Sequence, residues 1–125
     1  MSFDKNTLDA WDKTAEIEIE TSRGDGARVH RTTIWIVVDG DVAYVRSVRG
    51  EDGRWYRELR GNPHGAVHAG GQRVPVEAEP ASDAATVAKV SELFERKYKS
   101  RWPGPTAAML RENTLPTTLR LRLAR

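Results

Sequence analysis

The 125-residue sequence has no cysteine. Disulfides, thiolate nucleophiles and thiolate metal sites are therefore excluded. The longest fully apolar run, "IWIVV" at Ile34–Val38, is far too short to cross a bilayer. The first residues, "MSFDKNTLDAWDK", place acids where a secretory signal needs an apolar run. A cytoplasmic protein without a membrane partner is expected. No P-loop, nucleophile elbow or dinucleotide glycine fingerprint occurs. The histidines are His30, His64 and His68, and no carboxylate run beside them completes a metal site. The net charge of +2 gives no general attraction to nucleic acid, and none is expected as a partner.

The charge that is present is unevenly spread. Residues 1–20 carry six acids and two lysines, whereas residues 96–125 carry eight bases and one acid. Most of the bases are arginine, whose planar fork suits carboxylate or phosphate better than a point charge does. Four tryptophans argue for a folded core, and the length suits a single domain spanning 1–125.

Hydrophobic periodicity gives a coarse map. "DKNTLDAWDK" reads as a short helix with Leu8 and Trp11 on one face. "AEIEIET" alternates strictly, with Ile17 and Ile19 inward, and reads as a half-buried strand. The β-branched and aromatic run over 29–38 reads as one strand, joined through Asp39-Gly40 to a second, "DVAYVRSV". "RWYRELRGN" reads as about one helical turn. "HGAVHA" and "QRVPVEAE" flank Gly70-Gly71 as a second hairpin, with Pro75 at an edge or bulge. A helix capped by Ser82 runs to about Tyr98 with Ala84, Val87, Val90, Phe94 and Tyr98 on one stripe. "TTLRLRLAR" closes as a strand. About six strands, rich in hairpins and without βαβ alternation, imply a mainly β fold: an antiparallel sheet or small barrel with flanking helices.

The stretch Val45–Pro63, "VRSVRGEDGRWYRELRGNP", combines five arginines, a Trp-Tyr pair and a glycine-rich turn. Strand alternation puts Arg31 in phase with Thr33 and Trp35, and Arg46 in phase with Tyr44. Arg31, Thr33, Arg46 and Ser47 then cluster where the hairpin opens, with the guanidiniums and hydroxyls that suit a phosphate monoester. Trp55 and Tyr56 offer flat surface. Geometry alone favours the other reading, in which Trp35 and Trp55 anchor the core and the arginines snorkel from the barrel wall.

The order of these pieces resembles the split β-barrel superfamily of flavin-binding proteins, which includes pyridoxamine phosphate oxidases and deazaflavin-dependent nitroreductases. The pieces are an arginine before a Trp-containing strand (Arg31 to Trp35), the Asp39-Gly40 hairpin, "YVRS" from Tyr44, and "WYRELRGNP" from Trp55 to Pro63. "IWIVV", "YVRS", "WYR", Gly70-Gly71, Lys97-Tyr98 and "TTLRL" resemble more closely a small uncharacterised bacterial branch. The resemblance implies a six-stranded antiparallel split barrel that forms a homodimer and binds FMN or a deazaflavin. It implies Arg31, Thr33, Arg46 and Ser47 on the phosphate side, with Trp55, Tyr56 and Arg57 bordering the cofactor. Glu58 departs from the asparagine of the superfamily pattern; its carboxylate would repel a phosphate, so either it turns outward or the cofactor is bound differently. Three functions follow: a flavin- or deazaflavin-dependent oxidoreductase of unknown substrate, a non-enzymatic binding protein on the same fold, and, remotely, a nucleic-acid-associated protein acting through the basic C-terminal segment.

Overall fold

The computed structural model describes residues 2–124. Seven strands form one antiparallel sheet: β1 Ile17–Thr21, β2 His30–Ile34, β3 Val37–Asp39, β4 Val42–Val45, β5 His64–Ala69, β6 Gln72–Pro80 and β7 Leu119–Leu123. Four helices flank it: α1 Lys5–Lys13, α2 Arg54–Gly61, α3 Ala84–Tyr98 and α4 Pro103–Ala108. The strand order is β2-β1-β5-β6-β7-β4-β3.

The two edge strands of this sheet, β2 and β3, are consecutive in the chain and separated only by Trp35 and Ile36. Three Cα–Cα steps span at most about 11 Å. A flat seven-stranded sheet would hold its edges about 29 Å apart, at some 4.8 Å per strand. The sheet must therefore curl until its edges approach, which makes a split barrel. The run over 29–38, expected to be one strand, is thus two, and the count rises from six to seven. The chain leaves one edge and enters the other, so it cannot stay paired throughout.

The inside of the curl carries Ile17, Ile19, Ile34, Val45, Val67 and Leu121, closed by Leu8 and Trp11 of α1 and Trp55 and Leu59 of α2. α3 covers the outside of β3 and β4, where Val90, Phe94 and Tyr98 meet Val37 and Tyr44. Its cap is Asp83, one residue later than the sequence suggests; the carboxylate accepts from the amide and hydroxyl of Thr86. Both hairpins form as expected, with Gly40 at positive φ as a two-residue loop requires. The carbonyl of Pro75 accepts from Ala124, so the missing amide hydrogen faces just past the last β6–β7 pair, Val76–Leu123.

At the crossing the backbone of Ile36 lacks a strand partner, and α3 supplies one. The Ile36 amide donates to Tyr98 Oη at 3.3 Å, while its carbonyl accepts from Lys97 Nζ at 2.7 Å. The Tyr98 hydroxyl in turn donates to the Ala15 carbonyl at 2.7 Å, and Lys97 also holds the Trp11 carbonyl. Desolvation lowers the Lys97 pKa to about 8 and raises that of Tyr98. Trp35 stacks on the Tyr98 ring at 3.8 Å and nearly parallel.

Tyr98→Phe keeps that stack but strands the Ile36 amide and the Ala15 carbonyl. We expect a loss of about 1–3 kcal/mol, the cost of buried groups left unsatisfied, measured by urea unfolding. A change within error would mean that the crossing does not depend on this hydroxyl.

Candidate functional site

A cavity of about 810 Å³ opens beside the crossing. β2 and the crossing contribute Thr32, Thr33, Ile34 and Trp35. The end of β4 and the turn after it contribute Arg46, Ser47, Val48 and Arg49, and the start of α2 contributes Gly53, Arg54 and Trp55. Trp102, Pro105 and Met109, on and beside α4, close the far side, with Ala15 and Glu16 completing the wall. Three of the four tryptophans thus face one space.

Two hydroxyls on this wall, Thr32 Oγ1 and Ser47 Oγ, are buried and make no hydrogen bond among the described residues. Such groups ordinarily find partners, since leaving one unsatisfied costs about 1–3 kcal/mol. Ser47 is 1% exposed, and its amide is held by Thr117 Oγ1 at 3.0 Å, which fixes the residue in place. Gly53 lies against Ser47 Oγ, so closely that a Cβ there would collide with it. Gly53 is also the N-cap of α2 and offers no side-chain cap, so the first amides of the helix have no intrahelical acceptor. A helix start of this kind, with Arg54 at its first position and Arg49 on the same cavity wall, favours a negative group.

Of the seven residues that the sequence suggests, Thr33, Arg46, Ser47 and Trp55 line the cavity. Arg31 projects from the outer face of β2 and pairs with Glu18 at 2.6 Å, with both side chains well exposed. Tyr56 turns into the core, edge-on to Trp55, and its hydroxyl accepts from Arg60. Arg57 lies on the exposed side of α2 and lines a separate recess.

Arg46 is fully buried. Its Nε donates to Thr118 Oγ1 at 2.8 Å, Nη1 to Ser91 Oγ and the Met109 carbonyl, and Nη2 to the Val87 carbonyl at 2.8 Å. The guanidinium also lies 5.5 Å from the centre of the Phe94 ring. Four of its five N–H groups are thereby committed to α3, to the end of α4 and to the start of β7. No carboxylate contacts it, and desolvation brings its pKa down to about 10, so it remains a cation at neutral pH.

Glu58 points into the interior of the sheet. Its carboxylate accepts from Thr21 Oγ1 at 2.7 Å and meets His30 Nδ1 at 3.2 Å. Burial works to raise its pKa, but the hydrogen bonds from Thr21 and His30 outweigh that and the net shift is downward. Glu58 does not turn outward as one of the expected arrangements had it: it is buried against Thr21 and His30, and it does not line the Trp-walled cavity.

Sequence reading missed Thr32, Trp35, Arg49, Arg54, Trp102 and Met109 as wall residues. Strand alternation puts Thr32 on the inner face, where a hydroxyl among isoleucines was a usable signal. Nothing local marks Trp102 and Met109, because α4 reaches the cavity only through the packing of α3.

A family model described as "Uncharacterized protein conserved in bacteria (DUF2255)" matches residues 7–121. No curated protein matches the chain. Solved structures match along nearly its whole length. HutZ, described as the heme storage protein from Vibrio cholerae, is 12% identical with a TM-score of 0.67, covering 100% of this chain and 92% of that one. The F420-H2 dependent reductase FDR-A is 13% identical with a TM-score of 0.64, covering 86% and 94%. A NimC/NimA family protein from Clostridium acetobutylicum is 15% identical with a TM-score of 0.60, covering 96% and 81%. At these identities the likeness shows the fold alone, a split β-barrel with flanking helices.

Two measurements test the internal polar groups. Arg46→Ala removes the donors of four acceptors and leaves a void, so without any ligand it should lower stability by about 3 kcal/mol or more, read by thermal unfolding. An unchanged melting temperature would mean that the guanidinium is not needed to hold α3 and β7. The folded pKa of Glu58 lies below its ordinary value of 4.5, so its contribution is complete above that pH and is lost as pH falls through the lower folded value. Glu58→Gln should therefore flatten the acid limb of the stability curve and leave its alkaline limb alone.

Proposed function

The chain belongs to the DUF2255 family of uncharacterized bacterial proteins, and from that premise we propose that it is a cofactor-binding split-barrel protein whose Trp-walled cavity takes FMN or a deazaflavin, serving an oxidoreductase. One observation carries this reading. Two buried hydroxyls without partners, Thr32 Oγ1 and Ser47 Oγ, stand in a cavity walled by Trp35, Trp55 and Trp102. Flat aromatic walls suit a fused ring, the hydroxyls suit its polar edge or its ribityl chain, and the volume lies in the range of small-ligand pockets.

The donor set fits a phosphorylated ring. Arg49 and Arg54 line the cavity and form no ion pair among the described residues, and Arg54 stands at the uncapped start of α2. They, together with Ser47, are the groups we assign to the phosphate. Arg46 has its donors committed elsewhere, and Arg31 has Glu18. When bound, a flavin or deazaflavin supplies hydride transfer. The protein's own residues bind and orient the ring, exclude water from one side of it, and hold the anionic end. The name of FDR-A, an F420-H2 dependent reductase, supports the deazaflavin form of this reading. The heme named for HutZ fits less well, since no histidine lines the cavity among the described residues.

A second reading, binding without turnover, is favoured by the wall chemistry. Among the described residues Glu16 is the only carboxylate on the cavity wall, and neither histidine nor tyrosine joins it. We also propose a homodimer: Val48 lies at the cavity rim with 49% of its surface exposed, an apolar position that a second copy would cover.

Fluorescence titration with FMN, riboflavin and a deazaflavin tests the assignment. Arg49→Ala/Arg54→Ala should weaken FMN binding by one to two decades, from charge-assisted hydrogen bonds worth about 1.5–3 kcal/mol. Riboflavin, which lacks the phosphate, should bind the variant and the wild type alike. A wild type that binds none of the three would overturn the cofactor reading. Light scattering of a 14.0 kDa particle would overturn the dimer.

A further inference from the structure

Among the described residues five arginines form ion pairs, and three that do not are gathered at one recess. On the sheet exterior and along α3, Arg31 pairs with Glu18, Arg73 with Glu20, Arg96 with Glu92, and Arg120 and Arg122 with Glu79. Around α2 the pattern changes. Arg23, Arg54 and Arg57 border a recess of about 310 Å³ with Gly61 on its rim, and none of the three forms an ion pair among the described residues. The one carboxylate there, Glu58, is turned inward and spent on Thr21 and His30. Arg54 and Arg57 stand one helical turn apart, so they project on one side of α2, and Arg23 approaches from the loop after β1. Glu58 on the recess wall is felt by Arg54, but its carboxylate is bonded inward, so three exposed guanidiniums share the recess with one carboxylate and a bound anion would offset the excess positive charge.

Arg54 lines both this recess and the Trp-walled cavity, so the two spaces share a wall. We infer that the recess is a second anion subsite, and that the ligand of this protein carries a polyanionic arm, a pyrophosphate or a comparably charged chain, extending past Arg54 from the cavity to Arg23 and Arg57. The part concerning the arm rests on the reading of the cavity as a ring site; the anion subsite itself does not. A planar fork meets two oxygens of a phosphate at once, so three forks around one recess select a multiply charged group over a single carboxylate.

The bare subsite is tested with inorganic pyrophosphate on the protein without cofactor. The Nε–H signals of Arg23 and Arg57 and the amide of Gly61 are followed by nuclear magnetic resonance at constant ionic strength. Saturable shifts are expected, and Arg23→Ala/Arg57→Ala should abolish those at Gly61. Both residues are exposed, so the double variant should keep the wild-type melting temperature. Absence of saturable shifts, or shifts at Gly61 that survive the double substitution, would overturn the subsite. The link to the cavity is tested by comparing FAD with FMN, which lacks the second phosphate and the adenosine that FAD carries. Wild type should prefer FAD about tenfold, and the double variant should lose that preference. Equal wild-type affinities would overturn the shared ligand. Binding of neither flavin would overturn the ring site instead, with the pyrophosphate titration still deciding the recess.

Discussion

Two residues, Trp35 and Ile36, join the opposite edges of a seven-stranded sheet, and that short link governs the rest of the molecule. Because the edges must meet there, the sheet curls and its inner face closes over one apolar core. Because the backbone leaves the ladder there, the amide and carbonyl of Ile36 need partners from elsewhere, and the end of α3 is positioned to provide them through Tyr98 and Lys97. The strands splay away from the same point, and the space between β2 and the end of β4 becomes the cavity. Trp35 belongs to both systems: it stacks on Tyr98 and walls the cavity. The closure of the fold and the shape of the candidate site are thus one feature.

Arg46 shows the opposite use of charge from the arginines around α2. It is a buried cation with no carboxylate in contact, and neutral oxygens from three elements accept from it. Burying a charge is costly unless nearly all its donors are satisfied. Meeting that condition here draws the C-terminal region toward α3, since Thr118, Met109 and Val87 are far apart in sequence. Arg49, Arg54, Arg57 and Arg23 remain in water at the mouths of the cavity and the recess. The same residue type therefore acts as an internal fastener at one position and as available positive charge at others. Exposure and local acceptors make the difference.

Strand alternation was enough to read β1, both hairpins and β7, because a period of two with one buried face is a local property of the chain. It also placed Arg46 correctly on the face of Tyr44. Local pattern could not reveal that α3 packs over that face, which is what turns a surface arginine into a buried one. Likewise Arg31 shares a face with Thr33, but its partner Glu18 comes from the neighbouring strand, through the pairing of β1 with β2.

The sequence by itself determined the class of the fold, the positions of most elements, and the region that carries the candidate site, Val45–Pro63. These follow from periodicity, turn chemistry and composition, which act over a few residues. Tertiary structure alone decided that one apolar run is two edge strands, that Glu58 turns inward to Thr21 and His30, and that Trp102 and Met109 face Thr32 and Ser47 across a cavity. Each of these depends on which distant segment covers which face. That choice is made by the summed burial and hydrogen bonding of the whole chain, and no single stretch encodes it.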